Sequence, residues 1–243
     1  MPSKAGFPVD AVLFDLDDTL YDQREWLDGA WRTVAQIGVP GIEEERFFDA
    51  LRSVAAEGSD RGRIIDRALA ALDRAAVPVT PYVTAFRNFR PSVLSPYPGV
   101  GDCLRELAAA VPLGLVTDGD PSLQASKLHA LGMEPCFDVV IYSDELDGRS
   151  ARKPAAAPFA AALGALGVVA ENAVFVGDRP DKDVAGAVAA GMRAIRVLTG
   201  EYRGDESDPE SWMTLASASE VAGALRPLLR RPLRSRPPIA PHG

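Results

Sequence analysis

Cysteine is scarce in this chain: Cys103 and Cys136 are the only two among 243 residues. Two residues without metal-ligand spacing exclude a disulfide framework and a thiolate metal centre, and both read as small core residues. Long apolar runs are missing as well, so no segment reads as a bilayer span. Met1 to Pro8 carries one lysine and no apolar core, which does not fit a secretory leader. These absences predict a soluble, cytoplasmic protein. Positive charge is in the minority: 26 Lys and Arg stand against 34 Asp and Glu, for a net charge of -8. That balance argues against a nucleic-acid or anionic-membrane binder, since both need a basic face. A small phosphorylated substrate stays open, because one local cation can overrule the global charge. No internal repeat is present. What remains is ordinary globular composition, 47% apolar and 25% charged.

Short apolar runs punctuate the chain. Asp10–Leu16 (DAVLFDL), Pro112–Thr117 (PLGLVT), Asp138–Tyr142, Ala173–Gly177 (AVFVG) and Ala194–Leu198 read as buried parallel strands. Helical segments lie between them at Gly101–Ala110, Pro121–Leu131, Ala155–Leu166 and Asp181–Ala190. Asp120 before Pro121 is an N-cap acid followed by proline at the first helical position. Gly132, Gly167 and Gly191 stand where helix ends want a left-handed residue. Strands alternating with helices predict a parallel sheet covered on both faces, with ligands beyond the carboxyl ends of its strands.

Residues 21–97 break the alternation. Helical patterns run over Glu25–Ile37, Glu43–Ala56, Arg63–Ala76 and Pro81–Arg90, without a strand, and prolines at 91, 96 and 98 mark the return. This reads as a helical insertion between the first two strands. Arg24, Arg61, Arg63, Arg87 and Arg90 within it are conceivable anion contacts, although helix-surface arginines usually face water. Glu220–Leu229 predicts a last helix disturbed by Pro227, and residues 230–243 read as a disordered Arg/Pro-rich tail.

The chemistry concentrates at strand ends. Asp15-Leu16-Asp17-Asp18-Thr19-Leu20 closes the first strand with clustered carboxylates. Carboxylates at i and i+2 can point into one site and bind a hard divalent cation through oxygen. A bland reading also exists: solvated acids opening a helix, with Asp17 or Asp18 as cap. Three further elements, each at a strand end or in the loop after one, outweigh it. Thr117 is followed by Asp118-Gly119, whose amides can meet a phosphate. Lys153 precedes Pro154 and can balance carboxylates and phosphate. Gly177-Asp178 is followed five residues on by Asp183, otherwise readable as a first-turn helix acid.

In this order DLDDT, TDG, RKP and GDRPDKD resemble the haloacid dehalogenase superfamily of hydrolases. The resemblance covers residues 9–20 and 98–225. It implies an α/β, Rossmann-like parallel sheet core with helices on both faces, over residues 1–20 and 98–229, plus an inserted α-helical cap domain over 21–97. It also implies a magnesium-dependent phosphohydrolase that cleaves a small phosphorylated metabolite, a phosphate monoester, through an aspartyl-phosphate. Asp15 would be the nucleophile and Asp17 the general acid and base. Thr117, with amides of Leu16, Asp118 and Gly119, would hold the phosphoryl oxygens. Lys153 would neutralise charge on Asp15 and phosphate. Mg²⁺ would be held by the Asp15 and Asp178 carboxylates and the Asp17 carbonyl, with Asp183 supporting it through water.

Two departures from the family pattern stand out. KPAAAPF lacks the second proline often found shortly after the Lys-Pro pair, and Asp147–Ala151 is longer than common. The alternatives are a sugar-phosphate mutase of the same superfamily and a non-catalytic binding module on this fold. Within the superfamily, a halide leaves without a proton, so Asp17 points to ester cleavage. Carbon–phosphorus cleavage uses a cap lysine, and the chain's lysines, Lys4, Lys127, Lys153 and Lys182, all lie outside 21–97.

Overall fold

The computed structural model describes residues 8–58, 61–207 and 210–229. The expectations for the N-terminal segment before Pro8 and for the 230–243 tail lie outside the described residues. In chain order the elements are β1 (Ala11–Phe14), α1 (Gln23–Ala35), α2 (Glu44–Ala55), α3 (Ile64–Ala71), α4 (Thr80–Asn88), α5 (Val100–Ala108), β2 (Leu113–Thr117) and α6 (Pro121–Ala130). They continue with β3 (Val139–Tyr142), α7 (Asp144–Asp147), α8 (Ala156–Leu166), β4 (Ala173–Gly177), α9 (Ala185–Ala189), β5 (Arg193–Val197), β6 (Met213–Leu215) and α10 (Val221–Leu225).

The chain divides into two compact units. One comprises residues 1–22 and 95–243, the other Gln23–Leu94. The first holds a six-stranded, all-parallel sheet in the order β3-β2-β1-β4-β5-β6. Val12 pairs with Leu113 on one side and Val174 on the other, so β1 is central. All residues of β1, β2 and β4 are buried, which explains their unbroken apolar sequences. On one face Leu13 and Phe175 pack with Phe159 and Ala162 of α8 and Ala187 of α9, and Phe159 meets Phe175 edge-on at 5.0 Å. Val12 and Phe14 alternate to the opposite face.

Asp120 caps α6 by accepting from the amides of Ser122 and Leu123 at 3.0 and 3.2 Å. Gly167 closes α8 at φ 66°, a conformation that costs any other residue more. Both Cys103 and Cys136 are buried and free. The Cys103 sulfur accepts from Ala222 at 3.3 Å and donates to the Ala218 carbonyl at 3.1 Å, tying α5 to the turn before α10.

The structure differs from the sequence expectations at four places. β6 was not foreseen: three residues flanked by polar sequence give too little alternation to read. The helix expected to reach Ala76 stops at Ala71, because Asp73 adopts φ 57° and Arg74 bonds back to the Leu69 carbonyl at 2.8 Å. The helix expected from Asp181 opens as a π-turn over Pro180–Val184 before α9 begins. The last helix ends at Leu225, two residues short of Pro227, as the restriction before proline requires.

The Gln23–Leu94 unit is helical. α1, α2 and α3 bury one face each, at Ala30, Trp31, Val34 and Ala35, at Phe47, Phe48, Leu51 and Val54, and at Ile65, Ala68 and Leu69. Those spacings are the amphipathic period. Trp31 stacks on Phe86 of α4 with centroids 4.4 Å apart, and Tyr82 meets Phe47 edge-on and donates to the Gly38 carbonyl at 2.8 Å. Arg61 and Arg63 pair with Glu57 and Asp66 on its surface.

Candidate active site

The site lies in the first unit, where β1, β2 and β4 end side by side. Asp15 follows β1 directly and its amide bonds to the Val176 carbonyl at 2.9 Å, which continues the ladder by one residue and fixes the side chain at the sheet edge. Asp178 and Asp183 follow β4. The carboxylates of Asp15, Asp178 and Asp183 each offer an oxygen within 4.8 Å of the others, and all three residues are buried. Thr19 reaches toward Asp15 and Asp178 at 3.4 and 3.5 Å. The Asp183 Oδ2 also accepts from the Arg179 amide at 3.1 Å, which anchors the π-turn.

Lys153 enters this cluster from the loop before α8. Its ammonium bonds to Asp15 Oδ1, donates to the Val116 carbonyl at 3.2 Å and lies 2.8 Å from Asp183 Oδ1. That last oxygen is buried and has no hydrogen bond, since the ion-pair contact lacks hydrogen-bond geometry. Burial pushes the Asp15 carboxyl up to about 8, with Asp183 and Asp17 adding to the rise and Lys153 opposing it. Burial likewise pushes Asp178 well above the usual carboxylate range, reinforced by Asp183 and Asp15. For Lys153 burial works against the ammonium, but Asp15, Asp183 and Asp118 outweigh it and raise its value. With its carboxylates ionised, as cation binding requires, this buried cluster would carry two more negative charges than the one ammonium offsets. The all-oxygen donor set, the charge excess and the orphaned Asp183 oxygen together fit a hard divalent cation. Asp183, expected to support the metal, places its carboxylate inside this cluster.

Asp17 turns away from the cluster. Its carboxylate receives Tyr21 Oη on Oδ1 at 2.6 Å, Gln124 Nε2 on Oδ2 at 2.8 Å, and Lys127 Nζ on both oxygens at 2.8 and 3.0 Å. Burial alone would raise its value, yet the Lys127 charge, with the bonds from Lys127, Tyr21 and Gln124, holds it below the ordinary range. Asp18 takes φ 58°. Its carbonyl accepts from Thr199 Oγ1 at 2.5 Å and its carboxylate from the Glu201 amide at 3.1 Å, so the turn is held from the loop after β5. Leu16 is fully buried and its carbonyl accepts from Leu20 at 3.0 Å.

Thr117 ends β2, buried, with Oγ1 receiving Gln124 Nε2 at 2.5 Å. The Asp118 carboxylate is a staple: Oδ1 accepts from Ser143 Oγ at 2.7 Å and from the Lys153 amide at 3.1 Å. Asp144 forms a two-pronged pair with Arg152 at 2.6 and 2.7 Å. Its carboxyl is held low first by that bond, and also by the Gly119 backbone. The long segment before Lys153 is braced at both ends by these contacts. Sequence reasoning missed Gln124, Lys127, Tyr21, Ser143 and the Asp144–Arg152 pair. The one signal for the first two was their spacing of three on a helix that follows a site loop.

A parallel sheet with this strand order, an acidic cluster at its central strand ends and a buried lysine among the acids define a class of hydrolase. Residues 9–191 match the family described as haloacid dehalogenase-like hydrolase, and the chain belongs to that family. It is 34% identical over 227 residues to a glyceraldehyde 3-phosphate phosphatase from Methanocaldococcus jannaschii, covering 90% of this chain and 98% of that one. Among solved structures, a 2-haloacid dehalogenase from Pseudomonas syringae is similar with a TM-score of 0.61 and 26% identity, covering 90% of this chain and 99% of that one. A Thermotoga maritima protein assigned as a β-phosphoglucomutase is similar with a TM-score of 0.68 and 23% identity, covering 91% and 100%. No helix among the described residues is long and apolar enough to cross a membrane.

Proposed function

We propose that Asp15 carries the phosphoryl group during hydrolysis of a small phosphate monoester. The chain is a phosphohydrolase of its family, supported by membership and by phosphatase relatives over nearly its whole length. The carrying observation is the Lys153 ammonium seated on Asp15 inside the carboxylate cluster. An Asp15 oxygen attacks phosphorus and the ester P–O bond breaks. Asp17, once protonated, delivers its proton to the departing oxygen. In the second half Asp17 takes a proton from water, whose oxygen attacks the phosphorus of the aspartyl-phosphate, and Asp15 and inorganic phosphate are released. Thr117 donates its hydroxyl to a phosphoryl oxygen, and Lys153 offsets charge on Asp15 and phosphate. Asp15, Asp178 and Asp183, with the Asp17 carbonyl, would hold Mg²⁺. Bound there, it supplies charge neutralisation and orientation of the phosphoryl oxygens. The relative's name supports a substrate of triose-phosphate size. The Gln23–Leu94 unit takes the place in the chain where the family carries its cap, and we assign it that role.

Asp15→Asn tests the reading. The amide cannot supply the attacking oxygen, so turnover should vanish while the fold stays intact, and the phosphorylated Asp15 peptide trapped from the wild type should be absent. Near-normal phosphate release from variant protein free of wild type and of deamidation would refute it. Inorganic phosphate released in step with substrate loss separates hydrolysis from mutase chemistry.

A further inference from the structure

Two residues of α6 stand out because their burial needs an explanation. Gln124 and Lys127 are 3% and 4% exposed, and an ammonium so buried is costly unless paired. Spacing of three puts both on the same side of the helix, and the Asp120 cap fixes where that helix begins. Both aim at Asp17. Lys127 grips both carboxylate oxygens, Gln124 occupies Oδ2, and Tyr21 occupies Oδ1. Each oxygen therefore receives two donors, which blocks rotation of the carboxylate, and when Asp17 takes up its proton that hydrogen replaces one of these donors.

Gln124 does more than hold Asp17. A carboxylate only accepts, so the amide nitrogen must face it. The second hydrogen of that nitrogen goes to Thr117 Oγ1. With a lone pair so engaged, the Thr117 hydroxyl hydrogen is available to an oxygen in the site. One amide thus ties the end of β2 to the turn after β1.

We propose that Gln124 and Lys127 are positioning residues for leaving-group protonation, a bracket on α6 that fixes the direction of the Asp17 carboxylate relative to Thr117. The proposal rests on the reading of Asp17 as proton donor. General acid catalysis counts most when the departing oxygen is a strong base, and it contributes typically 10²–10⁴-fold. p-Nitrophenyl phosphate has a leaving group that departs without help, whereas phenyl phosphate does not. A residue that aims the acid therefore changes the ratio of kcat on these two substrates. A residue that merely supports the fold lowers both alike.

The experiment measures kcat and KM for both esters in wild type and in Lys127→Met, Gln124→Leu, Asp17→Asn and Asp15→Asn, each checked for folding by its melting curve. Lys127→Met and Gln124→Leu should lose about tenfold or more on phenyl phosphate beyond their loss on p-nitrophenyl phosphate, mainly in kcat, in the same direction as Asp17→Asn. If Lys127→Met does not fold, Lys127→Gln replaces it: the shorter, neutral amide cannot repeat the ammonium's charged grip on both oxygens, and the same selective loss is expected. Equal losses on both esters in the α6 variants, or an unchanged ratio, overturn the proposal. Activity retained in Asp15→Asn would instead overturn the nucleophile assignment, so the two failures are distinguishable.

Discussion

Raising the pH of the metal-free protein should weaken its fold between pH 5 and pH 8. Burial is the largest cause lifting the Asp15 carboxyl from 3.8 to about 8. In that window the group is neutral in the folded state and ionised in the unfolded chain. The unfolded state binds fewer protons, so stability falls with each unit of pH until the folded value is reached. At 1.36 kcal/mol per unit, the roughly three units are worth about 3–4 kcal/mol for this one group. Asp178 shifts in the same direction. The opposing groups act elsewhere: Asp17 is held below 3.8 and Lys153 above 10.5, so neither titrates between pH 5 and 8. For a chain of this size 1 kcal/mol moves the melting temperature by about 2–4 °C, which gives a drop of about 10 °C. On the proposed assignment Mg²⁺ would bind the ionised cluster, so its stabilisation should be larger at pH 8 than at pH 5, reaching about 2.7 kcal/mol at a hundredfold excess over its Kd. Melting curves in EDTA and in Mg²⁺ at each pH are the assay, with Asp15→Asn as the control whose metal-free slope should flatten. A metal-free melting temperature that holds steady or climbs from pH 5 to 8, or an Mg²⁺ shift independent of pH, would refute the reasoning.

Gly200 stands at φ 68°, and a Cβ there would run into the side chain of Asp18. Gly200→Ala should cost more than about 1 kcal/mol and lower kcat by displacing the Asp18 turn, and an unchanged melting temperature with full kcat would contradict this. The purified protein with Mg²⁺ should release phosphate from monoesters but no halide from 2-haloacids, because Asp17 is present and bracketed. Phosphonoacetaldehyde should yield no phosphate, since the Gln23–Leu94 unit contains no lysine. Efficient halide release, or phosphonate cleavage faster than that of every ester, would count against the assignment.

Much of the core was legible because its strands are buried on both faces and therefore read as unbroken apolar runs. The run AVFVG coincides with β4, and the acids after β1 and β4 mark the strand ends. β6 escaped because an edge strand of three residues, with Thr214 exposed between two half-buried neighbours, carries too little pattern. Lys127 escaped for a different reason: a lysine on a helix is ordinarily solvated, and only the fold shows that its helix face meets Asp17. The π-turn at Pro180–Val184 was equally hidden. It goes with a local contact, the capture of the Arg179 amide by the Asp183 carboxylate four residues on, while the sequence there reads as any acidic helix start.

The site's choice of cation follows from geometry. The chain is rich in arginine and has four lysines, and two of them, Lys127 and Lys153, are buried at the site. Lys153 directs one ammonium at Asp15 and the Val116 carbonyl through hydrogen bonds and at Asp183 through charge alone, which suits a compact point charge. A planar guanidinium presents five donors in a rigid fork suited to one carboxylate at a time. Asp144–Arg152 is that case, and it lies in the brace of the loop, away from the reacting groups. At a place where two carboxylates from β1 and from the turn after β4 converge on a strand-end carbonyl, the fork cannot satisfy all three directions without opening the strand ends. Lys153 therefore sits where the charges around Asp15 must be gathered, and Arg152 where the single Asp144 carboxylate is held.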